Sequence, residues 1–173
     1  MKFLAFPSAA DHAAYRALHP EPPPVPEGEG SCAACLRATR FEAGGVCACS
    51  DRLDAAARAL LHLALQAGLC RWTRLRVLGG GALARRLREL GAPGAGLPAE
   101  MIVGENPPRQ PLGRLRAGLV PGGCLLLGLT GIANPWARLD EAISEGFVRA
   151  ELVLPRSREL GYGSEVTILR ATL

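Results

Sequence analysis

From residue 74 to the C-terminus the chain alternates short apolar runs with amphipathic ones, and this order constrains the fold more than any single residue does. "RLRVLG" reads as a strand, and "ALARRLREL" as a helix with Leu83, Leu87 and Leu90 on one stripe. "EMIVGE" reads as a strand, "PLGRLRAGL" as a short helix and "GCLLLGL" as a buried strand. A helix around "PWARLDEAISEG", a strand in "FVRAELVL", a turn-rich link "PRSRELGYGS" and a final strand "EVTILRATL" follow. Near-continuous apolar strands alternating with helices predict an α/β fold with a largely parallel sheet covered on both faces. The last two strands have no helix between them and are expected to pair antiparallel.

The length of 173 residues, 49% of them hydrophobic, suits one core with a small appendage. Residues 1–30 read as an N-terminal arm and proline-rich linker: a short helix starting at Ser8 carries Ala13, Ala14, Tyr15 and Leu18, then "HPEPPPVPEGEG" breaks regular structure. Residues 31–50 form a cysteine segment, and residues 51–173 the α/β domain. Ser50 or Asp51 is expected to cap a helix reaching about Ala67, with Gly68 as its stop. His62 lies opposite Leu53 on that helix and reads as a surface or boundary residue. No apolar run approaches the roughly 18–20 residues that span a bilayer. Asp11 and His12 come too early for a signal peptide, so a soluble, cytoplasmic protein is expected.

Cys32 and Cys35 form CxxC, and Cys47 and Cys49 form CxC after an eleven-residue gap. Two close cysteine pairs on two turns with a hairpin between them match a four-thiolate tetrahedral site. Zinc suits such a site because it accepts four sulfurs without redox demand and ties down a loop that has little core. An iron–sulfur cluster or two disulfides are the alternatives. Cys70 and Cys124 stand in apolar settings and read as buried thiols.

The formal charge of +4 is carried mostly by arginine, and residues 71–116 hold nine Arg against Glu89, Glu100 and Glu105, a local charge of +6. A solvated helix face explains Arg85, Arg86 and Arg88, while phosphate or nucleic-acid binding is the other reading. The cysteine hairpin adds only Arg37, Arg40 and Phe41 to that second reading.

The piece "LRAGLVPGGCLLLG" resembles the short helix, "LxPGG" turn and fifth strand of class I S-adenosylmethionine-dependent methyltransferases. "LDEAISEGFVRAELVL" with "GYGSEVTILRA" is similar to their closing helix, sixth strand and antiparallel seventh strand. The upstream block from Cys32 is similar to a cysteine-rich knuckle before some bacterial methyltransferase domains, with Cys47-Ala48-Cys49 one residue tighter than their CxxC. The resemblance covers about residues 32–173. It implies that Gly79, Gly80 and Gly81 form the cofactor turn and that Glu105, Asn106, Pro107 and Pro108 form the loop facing a methyl acceptor. Arg109 replaces the aromatic residue of such a loop, and Val77 and Leu78 replace the acid before the glycines.

Between Leu90 and "MIV" only a short link holding "APGAGLPA" remains where the family has two strand–helix units, including the strand whose terminal acid holds the ribose. The resemblance therefore implies a truncated Rossmann-like sheet ordered 1-4-5-7-6 in the family's strand numbers, with an open edge beside strand 1. The N-terminal arm, the cysteine knuckle, a protein partner or a homo-oligomer contact are the expected covers. On this reading the chain is a non-catalytic methyltransferase-like scaffold or accessory subunit with a structural zinc. The alternatives are a methyltransferase with a reduced S-adenosylmethionine site and, from Gly79-x-Gly81-x-x-Ala84 as a GxGxxA fingerprint with Glu100 as its acid, a dinucleotide-binding protein.

Overall fold

The computed structural model describes residues 2–19, 29–31, 38–40, 53, 55–93, 98–105, 110–129, 132–156 and 166–173. The elements run β1 (Lys2–Phe6), α1 (Ala9–Leu18), β2 (Glu29–Ser31), β3 (Ala38–Arg40), α2 (Ala55–Gln66), β4 (Arg74–Leu78) and α3 (Gly81–Leu90). They continue with β5 (Ala92–Pro93), β6 (Ala99–Glu105), α4 (Leu112–Arg116), β7 (Leu119–Gly128), α5 (Pro135–Ser144), β8 (Arg149–Arg156) and β9 (Ile168–Thr172).

One seven-stranded sheet has the order β1-β8-β9-β7-β6-β4-β5, and β2 and β3 form a separate pair. β5, β4, β6 and β7 run parallel, while β9 is antiparallel to both β7 and β8. The complete order differs from the expected half-sheet at both margins. β5 is added beside β4, where Ala92 N–H donates to Thr73 O at 2.9 Å as the chain leaves α3. β1 is added beside β8 and pairs along its whole length, from Lys2↔Arg156 to Phe6↔Leu152. The N-terminal segment, one of the expected covers for the edge beside β4, thus joins the opposite side of the sheet.

Strand alternation sends side chains to two cores. Met101 and Val103 of β6, Leu126 of β7 and Ile168 of β9 pack with α2 and α3. Ile102, Leu125, Leu127, Leu169 and Ala171 pack with α4 and α5. Burial on both faces explains why the central strands read as apolar runs. β4 differs: Leu75 and Val77 join the α2 core, and alternation turns Arg74 and Arg76 to the other face, where Arg76 is exposed.

α2 packs Leu60, Leu61 and Leu63 into the core, with Leu53 just before the helix, and α3 adds Leu83 and Leu87. α1 starts as expected at Ser8, whose Oγ accepts the Asp11 N–H at 3.2 Å. It buries no residue fully. An aromatic chain holds it in place: Phe6 lies 4.9 Å from His12 and 5.4 Å from Tyr15, and His12 lies 5.6 Å from Trp136 of α5. Among the described residues no helix is long and apolar enough to cross a membrane.

Candidate functional site: a crevice at the ends of β4 and β6

The helices after two adjacent parallel strands leave to opposite faces: α3, after β4, packs in the α2 core, and α4, after β6, packs in the α5 core. The carboxyl ends of adjacent strands at such a switch are where open α/β sheets form a ligand crevice. Gly79, Gly80 and Gly81 line one side of it. Gly79 and Gly81 have φ of +92° and +89°, which side chains rarely adopt, and Gly80 is the N-cap of α3. Glu105, the last residue of β6, is half-buried on the other side. A Cβ on Gly79 would lie 3.8 Å from Glu105 O, so the two exits touch. The structure therefore brings together the glycine turn and the first residue of the expected acceptor loop. Asn106, Pro107, Pro108 and Arg109 lie outside the described residues.

Val77 and Leu78, just before the glycines, bring no carboxylate: Val77 packs against the α2 core and Leu78 is buried in the α4 core. The strand beside β4 is the two-residue β5, which is aligned with Arg74 and Leu75. Leu78 stands three residues further along β4, about 10 Å away. Glu100 is equally remote: it is the second residue of β6, at the amino end of the strands. Its carboxylate accepts the Arg74 N–H at 2.8 Å and pairs with the Arg74 guanidinium at 3.6 Å, and this backbone hydrogen bond holds it below the usual carboxylate range. It tethers β6 to β4 and does not face the glycines, so the dinucleotide fingerprint lacks its acid.

Two features of the crevice were not read from the sequence. Arg88 Nη2 donates to Gly79 O at 3.4 Å, bracing the turn from its own helix. Arg138 and Glu141 of α5 hold the residues just after the expected acceptor loop, with Leu112 N–H donating to Glu141 Oε1 at 2.9 Å and Arg138 Nη2 donating to Gln110 O at 3.2 Å. The i,i+3 spacing of Arg138 and Glu141 was a visible sign of an ion pair; its target was not.

Cys32, Cys35, Cys47 and Cys49 lie outside the described residues. Ser31↔Ala38, Gly30↔Thr39 and Glu29↔Arg40 pair antiparallel, so β3 pairs with residues before the first cysteine pair, which falls in the six-residue connection 32–37; the rest of the segment expected to form a hairpin between the two pairs lies outside the described residues. Among the described residues no group of three or more metal-ligating side chains is gathered. Cys70 departs from its expected burial: it is exposed. The Thr73 hydroxyl, 3.4 Å from the thiol, and a backbone hydrogen bond at Trp72 hold Cys70 below the usual thiol range. Cys124 is partly buried, and burial pushes it up to about 11 against the opposing charge of Arg170.

The arginine patch is partly spent inside the fold. Arg74 pairs with Glu100 and Arg86 with Glu89, while the Arg71 guanidinium lies 4.6 Å from the ring centroid of Trp72, which is 74% exposed. No family model matches the chain, and no curated protein or solved structure shows significant similarity to it.

Proposed function

We propose that the protein is a non-catalytic, methyltransferase-like module that works by binding a protein partner. The observation that carries this reading is the two-residue β5 in the place of the ribose-holding strand. A class I cofactor needs an acid there, level with the glycine turn. Ala92 and Pro93 offer none, and Glu100 is engaged with Arg74 at the far end of the strands. The glycine turn then serves to let β4 pass into α3, and one carboxylate at Glu105 is too little to fix a ribose and an amino acid together. The surface along β4 supports partner recognition through side chains, since Arg71, Trp72 and Arg76 are exposed around it. Arg and Trp are the residues most enriched where a few contacts supply most of the binding energy.

On this reading Cys32, Cys35, Cys47 and Cys49 hold a structural zinc. The β2–β3 pairing supports it, because Cys32 and Cys35 both fall within the six residues that join these two strands, and CxxC is a usual spacing for two ligands of one zinc. The zinc would stabilise this segment and take no part in chemistry.

Titration calorimetry of the purified chain with S-adenosylmethionine tests the proposal. No heat of binding is expected at micromolar cofactor. Micromolar binding together with methyl transfer to a cell extract would establish the reduced-site methyltransferase instead.

A further inference from the structure

The two margins of the sheet are built differently. On the β4 side the last strand is β5, two residues long and ending in Pro93, and the next strand carries Arg74 and the exposed Arg76. A very short edge strand, a proline and charged side chains are the devices that keep a sheet margin from pairing with another chain. On the other side β1, five residues long, has one of them, Lys2 at its first position. Its central residues are Phe3, Leu4 and Ala5, its register with β8 is unbroken, and among the described residues it has a strand on one side only.

The outward-facing groups of β1 follow from the hydrogen-bond phase of the sheet. Leu129 N–H donates to Thr167 O, and Leu173 N–H donates to Gly123 O, so the odd-numbered residues of β9 face β7 and Ile168, Arg170 and Thr172 face β8. Their partners Val153, Glu151 and Arg149 then face β9, which leaves Leu152, Leu154 and Arg156 to bond β1. Pro155, which has no N–H, falls in the phase that faces away from β1, as this alternation requires. Phe6, Leu4 and Lys2 therefore bond inward, and the N–H and C=O of Phe3 and Ala5 point outward.

We infer that β1 is the dimerisation strand of this protein and that its occupant is a second copy of β1, antiparallel across a two-fold axis at Leu4. Hydrogen-bonded residues in an antiparallel pair must stand opposite each other. Phe3 opposite Ala5 of the second copy, and Ala5 opposite Phe3, satisfies all four outward residues at once. An axis at Phe3 or at Ala5 instead places only one such residue of each copy opposite its equivalent. Leu4 then meets Leu4 in the closer, non-hydrogen-bonded position, where half-buried apolar side chains pack directly. The interface is isologous and closes, so it yields a dimer and not a fibre. A five-residue ribbon is a small contact, and the dimer is accordingly a concentration-dependent one. This inference does not rest on the missing cofactor wall, so the two can fail separately.

Sedimentation equilibrium of the full chain, with hydrogen exchange to confirm that each variant keeps its core protection, tests it. The unsubstituted chain is expected to pass from monomer to dimer between micromolar and about 1 mM concentration. Ala5→Pro removes an outward donor from each copy without touching the β1–β8 bonds, and weakens the dimer about tenfold or more. Leu4→Lys alone and Leu4→Glu alone are each expected to be monomeric, because like charges meet at the axis. Their equimolar mixture is expected to dimerise. A chain that stays monomeric up to about 1 mM, a dimer that Ala5→Pro leaves intact, or a mixture that fails to associate overturns the inference.

Discussion

Cys70 and Cys124 are the same side chain placed in opposite states by their surroundings. The Thr73 hydroxyl sits 3.4 Å from the Cys70 sulfur and also donates to Gly68 O at 3.2 Å, so its single proton is shared between a carbonyl and a thiolate. When it turns to sulfur it favours the charged form, and Cys70 is exposed to reagent. Iodoacetamide should therefore label Cys70 before Cys124 at neutral pH in the folded chain, and Thr73→Val should slow the labelling of Cys70 severalfold. Cys124, pushed up to about 11, should label at an appreciable rate only in denaturant. Peptide mapping after timed quenching checks both. The sequence could not separate these thiols, since both stand among apolar neighbours in the chain and the difference arises from how the turn after α2 is presented. Gly79 and Gly81 were legible for the opposite reason: positive φ is a local demand, and glycine answers it locally.

Elements differ in the same way. The strands buried on both faces, β6, β7, β8 and β9, are legible as apolar runs because each carries its own burial pattern. β1 and β5 are not, since "KFLAF" and "AP" become strands only through the partners they meet, Leu152 to Arg156 and Arg74 to Leu75. β1 and α1 form one unit whose hinge is aromatic. Phe6 is buried to 6% exposure, and it is the residue that both His12 and Tyr15 approach. Phe6→Ala should cost about 2–4 kcal/mol locally, less than a deep core truncation, because α1 buries nothing else. Hydrogen exchange should then show amides of residues 2–18 released while β6 and β7 keep their protection. Equal loss of protection in all strands would mean that the N-terminal unit is cooperative with the core.

At the scale of the whole molecule, the two margins of the sheet are unequal, with the two-residue β5 beside β4 and the five-residue β1 beside β8. The β4 margin is short and carries arginine, and the β8 margin is covered by a strand paired along its whole length. The cost of removing that strand can be argued from the hydrogen-bond phase. Without residues 1–19, the N–H and C=O groups of Leu152 and Leu154 would open to solvent along an apolar strand, and Pro155, whose ring faces the other phase, would not blunt them. The shortened chain should keep the core built by α2, α3, β6 and β7, which contains no buried residue from the N-terminal unit. Its far-UV spectrum should change little. Its light scattering should rise at concentrations where the full chain remains clear, because β8 offers a longer margin than β1 does. A synthetic peptide of residues 1–19 added in excess should suppress that scattering by re-forming the β1–β8 pairing, whereas a peptide carrying Phe6→Ala should do so poorly. A shortened chain as monodisperse as the full one would show that β8 needs no cover.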